Sequence, residues 1–318
     1  MSGPSKTRDI EDQSLLDGIH GQGSNLWEEC RGAVFMGLAS YALSFMHLGT
    51  KLLSMDGMPV VQMILLRSLL LLILLYVACS LLRIPHGMSG PREMHGLLVG
   101  RALTGNIALV LFMASVTALP LGDSVALSFI CPIMMIGLAP LMVGEPLFFI
   151  DGVTLAAGMV GVLLISRPAF LFGSDETGMT LGHVYGVLAA ATNSVSNLLV
   201  RKIGNRAHML HIVAHFTAFS VLPSLAWCLL NMDSFMYPIT PVVAGKVVLM
   251  SIGALAGQFF FSYSLQIEKV AKVTPMIFLQ VFFAFLNDWM LFQTIPSTWT
   301  VAGAACISIS VIATNLFH

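Results

Sequence analysis

From about Gly32 to Phe317 the chain alternates long apolar runs with short polar breaks. The runs fall at 32–53, 60–82, 94–118, 122–143, 147–166, 180–203, 211–231, 241–264, 270–293 and 297–317. Each is about 17–25 residues long, the length a helix needs to cross a hydrocarbon layer ~30 Å thick. Lipid offers backbone amides no partner, so every run must satisfy its own hydrogen bonds as a helix. The pattern predicts an all-α polytopic membrane protein of ten transmembrane helices. Two of the breaks are very short, Pro120-Leu121-Gly122 and Gly144-Glu145-Pro146. Their turn residues, together with the length limit, divide the apolar stretch there.

Composition supports the same class. The 318 residues are 57% hydrophobic and 10% charged, against about 25% charged in soluble domains. Mean hydropathy is +0.87. The net charge is −1 and no basic block exists to bind nucleic acid, so that partner is excluded. The five cysteines form no CxxC pair and imply neither a disulfide framework nor a zinc site. Residues 1–31 are polar and lack the basic, apolar and small-residue order of a cleavable signal. They are expected to form a disordered cytosolic tail. Lysine and arginine favour one side by ten to three when the N-terminus is placed inside. That bias predicts cytosolic N- and C-termini in a plasma or internal membrane.

The runs divide into two halves of five, 32–166 and 180–318, joined by a linker at 167–179. Gly182-His183-Val184-Tyr185-Gly186 through Arg201-Lys202 echoes the first span, from Gly32 to Lys51. Asp123-Ser124-Val125-Ala126 parallels Glu268-Lys269-Val270-Ala271, and Ala157-Gly158 parallels Ala302-Gly303. An odd number of spans per half forces the halves into opposite orientations. Such inverted repeats hold their substrate near the midplane, between them.

One stretch carries a family likeness. Arg101-Ala102-Leu103-Thr104-Gly105 is followed by Ala118-Leu119-Pro120-Leu121-Gly122-Asp123-Ser124-Val125-Ala126-Leu127, then Pro132, Gly144-Glu145-Pro146 and Gly158. This resembles the drug/metabolite transporter superfamily in its EamA-type branch, and within it the G-type members of solute carrier family 35. The resemblance implies ten spans in two inverted five-helix repeats and transport of a small molecule. It also implies that the last span of each repeat is a scaffold or homodimer helix, matching the small-residue faces around Gly158–Gly161 and Ala302–Ala305. The second half departs from the pattern, with Asn287-Asp288 where Gly-Glu is usual.

Polar residues inside the spans are the candidate site, because a charge at mid-membrane costs at least ~2.5–3.5 kcal/mol. Arg67 and Arg101 are cations suited to a carboxylate or phosphate. Ser40, Ser44, His47 and Lys51 form a stripe on the first span, and Thr192, Asn193, Ser196 and Asn197 form one on the equivalent sixth. Asn106, Tyr263 and Gln280 complete the set of substrate-binding candidates. Glu145, Asp151 and Asp123 are read as helix caps, and Pro132, Pro140 and Pro275 as kinks. His211 and His215 lie four apart, but no acid or cysteine accompanies them as a metal ligand. No GxSxG, paired mid-span aspartates or nucleotide-binding loop occurs, so neither an enzyme nor a cofactor is expected. The reading is a secondary-active transporter of a small polar metabolite, carboxylate-bearing on the evidence of the arginines. The alternatives are a nucleotide-sugar transporter of the same superfamily and a non-transporting scaffold or receptor.

Overall fold

A computed structural model describes residues 5–119, 121–166, 180–237, 240–293 and 298–317. Every regular element among them is helical. The helices are α1 (Ser5–Met55), α2 (Val60–Leu81), α3 (His95–Ala118), α4 (Leu121–Ser128), α5 (Ile130–Met142), α6 (Phe149–Ser166), α7 (Leu181–Ile203), α8 (Met209–Leu230), α9 (Pro241–Ile267), α10 (Val270–Val273), α11 (Leu279–Phe292) and α12 (Thr298–Phe317). The apolar part of α1 is Cys30–Met55. The expected linker at 167–179 lies outside the described residues.

Seven segments among the described residues are long and apolar enough to cross a membrane. Two more, Ala126–Met142 and Phe149–Ile165, are apolar but shorter. The 23-residue α7 is long enough, but its polar stripe and terminal Arg201-Lys202 keep it out of the seven. Large apolar side chains such as Leu81, Leu141, Phe149 and Leu230 point outward, as a lipid-facing surface requires.

Two expected spans are interrupted rather than continuous. The fourth is split into α4 and α5 at Phe129. Pro132 has no N–H to give the carbonyl of Ser128, where α4 ends. The ninth is split into α10, a 3-10 segment (Thr274–Phe278) and α11. Pro275 likewise has no N–H for Ala271. Pro140 lies within the continuous α5.

Helices of the first half pack on helices of the second. The main pairings are α1 with α9, α3 with α7, α6 with α12 and α2 with α8. Next come α1 with α11, α5 with α7, α3 with α8 and α2 with α9. The expected small-residue faces of α6 and α12 meet backbone to backbone. A Cβ on Gly161 would lie 2.7 Å from the Gly303 carbonyl oxygen, and one on Gly303 2.6 Å from that of Gly161. These glycines are therefore consumed by a contact inside the chain. Phe278, fully buried, fills the notch at Gly158, and Ser310 Oγ donates to the Thr154 carbonyl at 2.6 Å.

Of the three acids expected as caps, Asp151 acts locally and Glu145 at a distance. Asp151 Oδ2 accepts the Phe148 N–H at the start of α6. Glu145 was expected to cap that same helix but reaches elsewhere. Its Oε1 accepts from Arg201 Nε of α7 at 2.6 Å, and its Oε2 accepts the Val270 N–H at the start of α10 at 2.8 Å. Arg201 Nη1 also donates to the Gln266 carbonyl at the end of α9. One carboxylate thus ties the α5–α6 connection to three elements of the second half.

Candidate functional site

The helix breaks open onto a cavity of about 300 Å³ between the two halves. Ser128, Phe129, Cys131 and Pro132 line it from the first interruption, and Ile277 and Gln280 from the second. This is where interrupted backbone is tolerated at membrane depth, beside a cavity rather than against lipid. Arg101 and Gly105 of α3, Asn193 and Asn197 of α7, His47 of α1, Phe216 of α8 and Gln258 of α9 complete its polar and aromatic parts. Phe112, Phe129, Phe216 and Phe261 give it an apolar body.

Arg101 is the cation of this cavity and is 4% exposed. Its Nε and Nη1 are buried and have no hydrogen-bond partner among the described residues. The guanidinium carbon lies 4.8 Å from the Phe216 ring centroid, a cation–π distance. No described carboxylate lines the cavity. Glu145, the acid near Arg201, has both oxygens occupied as described above.

The two asparagines donate to soft acceptors. Asn193 Nδ2 lies 3.5 Å from Cys131 Sγ, and Asn197 Nδ2 lies 3.5 Å from Met135 Sδ. Sulfur accepts weakly, so exchanging it for a ligand oxygen sacrifices little. On the opposite wall, Gln280 Nε2 is within hydrogen-bonding distance of His47 Nε2. With Gln280 donating, the ring proton sits on His47 Nδ1.

Five of the nine expected site residues therefore line one cavity: His47, Arg101, Asn193, Asn197 and Gln280. The other four lie elsewhere. Ser44 is fully buried, accepting from Asn287 Nδ2 at 2.9 Å and donating to the Tyr41 carbonyl. Asn106 clamps α3 to α8: its Nδ2 donates to the carbonyls of Ala102 and Phe216, and its Oδ1 accepts from Ser220 Oγ. Tyr263 meets the Phe35 ring edge-on at 4.8 Å. Arg67 borders a much smaller pocket with Ser68, Thr217 and Ser220, and donates to Met46 Sδ. Phe216 and Gln258 stand between that pocket and the cavity, lining both.

Phe216, Phe129 and Cys131 were not among the expected site residues. In an apolar run their side chains read alike whether they face lipid, core or cavity. The one signal available was the position of Phe129 and Cys131 just before Pro132.

Comparison with known proteins agrees with the helical architecture. The chain shares its fold with a protein of known crystal structure, with a TM-score of 0.73 at 15% identity, covering 90% of this chain and 97% of the other. Residues 180–316 match the EamA-like transporter family. Solute carrier family 35 member G1 of Mus musculus is 28% identical over 74% of this chain, and the human protein of that name is also 28% identical. The matched region spans 66% of the length of each of these two relatives, just under two thirds. The pseudopaline exporter CntI of Pseudomonas aeruginosa is 25% identical over 89% of this chain and 95% of its own length. The family match and these relatives point to the drug/metabolite transporter superfamily for this chain, an integral multi-pass membrane protein.

Proposed function

We propose that the protein is a secondary-active transporter of a small organic anion, bound in the central cavity with Arg101 as its counter-ion. One observation carries this reading: Arg101 lines the cavity, two nitrogens of its buried guanidinium have no partner among the described residues, and no described carboxylate lines the cavity with it. A cation in hydrocarbon requires compensation, and a carboxylate from the cavity supplies it through charge-assisted bonds. Asn193, Asn197, His47 and Gln280 then receive the neutral polar groups of the solute, and the phenylalanines its carbon body.

The cavity volume of about 300 Å³ lies at the low end of ligand sites, ~300–1,000 Å³. That favours a compact solute over a nucleotide sugar. A scaffold that binds no solute would have no use for a buried, uncompensated cation, and flux separates a transporter from a receptor. The relatives named as a solute carrier and an exporter support transport.

Ten spans in two inverted repeats, with both termini cytosolic, remain our topology. The seven long apolar segments, together with the two shorter ones and α7, support this count. Exchanging the halves also turns each of the main pairings between them into another that is present: α1/α9 into α7/α3, α1/α11 into α7/α5, and α2/α9 into α8/α3. Pairs α2/α8 and α6/α12 map onto themselves. In this reading the two halves rock about the cavity and expose it to each side in turn.

The test is thermal denaturation of purified protein with carboxylates, amino acids, nucleobases and nucleotide sugars, followed by flux of any hit in proteoliposomes. A ligand at about 100 times its Kd stabilises by roughly 2.7 kcal/mol. Carboxylates should stabilise the wild type and fail to stabilise Arg101→Ala. Equal stabilisation of both would refute the role of Arg101, and stabilisation without flux would favour a receptor.

A further inference from the structure

The guanidinium of Arg101 lies in a slot with three walls. A Cβ added to Gly105, one turn further along α3, would lie 2.5 Å from Arg101 Nη1, 2.9 Å from Ser196 Oγ and 3.0 Å from Phe216 Cε2. The slot exists because residue 105 is glycine, and Phe216 is its aromatic wall. The backbone of α3 beneath the arginine is pinned to α7, since Ser196 Oγ donates to the Arg101 carbonyl at 3.0 Å. The phenylalanine is pinned too. Its carbonyl accepts from Asn106 Nδ2 at 3.2 Å, and the single hydroxyl proton of Ser220 is shared between that carbonyl at 2.9 Å and Asn106 Oδ1 at 2.8 Å. Asn106 is itself anchored on Ala102 and receives Ser220. Two helices are thereby locked at the height where the ring meets the cation.

An arginine has five N–H donors and, in an apolar surround, folds back onto any carbonyl in reach. Here the guanidinium carbon sits over the Phe216 ring, and neither Nε nor Nη1 is taken by a hydrogen bond among the described residues. Aromatic quadrupoles attract a cation through the ring face, while a carboxylate needs the in-plane N–H groups of the fork. The two demands do not compete. We infer that Phe216 is a positioning residue for the anion site: its ring, carried on a backbone held by Asn106 and Ser220, keeps Arg101 in the Gly105 slot without taking up its N–H groups, which stay unpartnered for an incoming carboxylate. The inference rests on the anion-site reading above and adds to it a residue of α8 that has no polar group of its own.

The experiment measures the apparent affinity of benzoate, by thermal denaturation of the detergent-purified full-length protein, in wild type, Phe216→Leu, Phe216→Tyr and Arg101→Ala, with benzamide as the uncharged control. Phe216→Leu keeps an apolar side chain but removes the quadrupole, and should weaken benzoate by roughly 5- to 30-fold, the range of a desolvated cation–π contact. Phe216→Tyr keeps the ring face and should stay within about 3-fold of wild type, since a phenol differs little from benzene as a cation partner. Benzamide, which meets the same cavity wall but has no charge for Arg101, should lose clearly less than benzoate in Phe216→Leu, and an equal loss of both would overturn the role of Phe216. A purely packing role would be restored by leucine and not by an aromatic ring specifically. Phe216→Leu binding as tightly as wild type, with Arg101→Ala binding nothing, overturns the role of Phe216 alone. So does a loss in Phe216→Tyr equal to that in Phe216→Leu. If Arg101→Ala binds as wild type, or benzoate leaves the wild type unshifted, the anion-site reading falls and this inference falls with it.

Discussion

Replacing Glu145 by alanine tests whether the end of the bundle near Arg201 is held by a single carboxylate. The change removes two contacts at once, the 2.6 Å bond from Arg201 Nε and the 2.8 Å bond from the Val270 N–H. Charge-assisted hydrogen bonds are worth roughly 1.5–3 kcal/mol each, and breaking a fully buried pair costs about 3–5 kcal/mol. The Arg201 and Glu145 side chains keep 19% and 14% of their surface exposed, so water screens part of this. Arg201 also retains the Gln266 carbonyl at 3.1 Å. We therefore expect a loss of about 2–3 kcal/mol for Glu145→Ala. Glu145→Gln keeps an acceptor for Val270 and should lose about half as much. Equilibrium unfolding in mixed micelles, followed by helical circular dichroism, reads both, and Arg201→Met completes a double-mutant cycle with a coupling of at least ~1 kcal/mol. Glu145→Ala within about 0.5 kcal/mol of wild type, or strict additivity with Arg201→Met, would refute the reasoning.

Three further outcomes follow from the packing. Gly161→Leu should destabilise by at least ~2–3 kcal/mol, because the backbone of α12 cannot yield to a side chain; a melting point unchanged from wild type would contradict the contact geometry. Asn106→Ala removes hydrogen bonds between α3 and α8 that average ~0.6 kcal/mol each in membranes, so unfolding should show a loss of about 1–2 kcal/mol. His208 precedes α8, its Nδ1 accepts the Leu210 N–H, and burial holds its pKa below the ordinary 6.5. The unfolded chain then binds this proton more readily, so the contribution of His208 is complete above pH ~6.5 and is lost as pH falls through that value towards the folded pKa. Melting temperatures between pH 5 and 8 should show a shallower acid loss in His208→Asn, which caps without titrating; an unchanged slope counts against the cap.

The positions of the helices were legible because lipid fixes both their length and their apolarity. The interruptions at Phe129 and Thr274–Phe278 were less so, since the apolar pattern runs straight through them and only Pro132 and Pro275 mark them. Within the site, Arg101, Asn193, Asn197, His47 and Gln280 stood out by their cost in an apolar run. That cost says a residue faces inward and not what it meets there. Asn106 and Ser44 meet protein, whereas Asn197 meets the cavity, and their sequence surroundings do not differ in kind. Glu145 misled for a related reason. A cap argument looks one turn ahead, while its partners Arg201 and Val270 lie far along the chain. Phe216 carries no such mark, and only its distance to Arg101 singles it out.

The crossing of α6 and α12 has a consequence for how this chain can change over generations. At most packed positions a bulkier residue on one side is accommodated by a smaller one opposite. At Gly161 and Gly303 each missing side chain faces the other helix's main-chain oxygen, an atom that no substitution removes. Enlargement at one position has no second-site remedy across the contact, so the two sites are frozen together while the lipid-facing positions beside them remain free to drift.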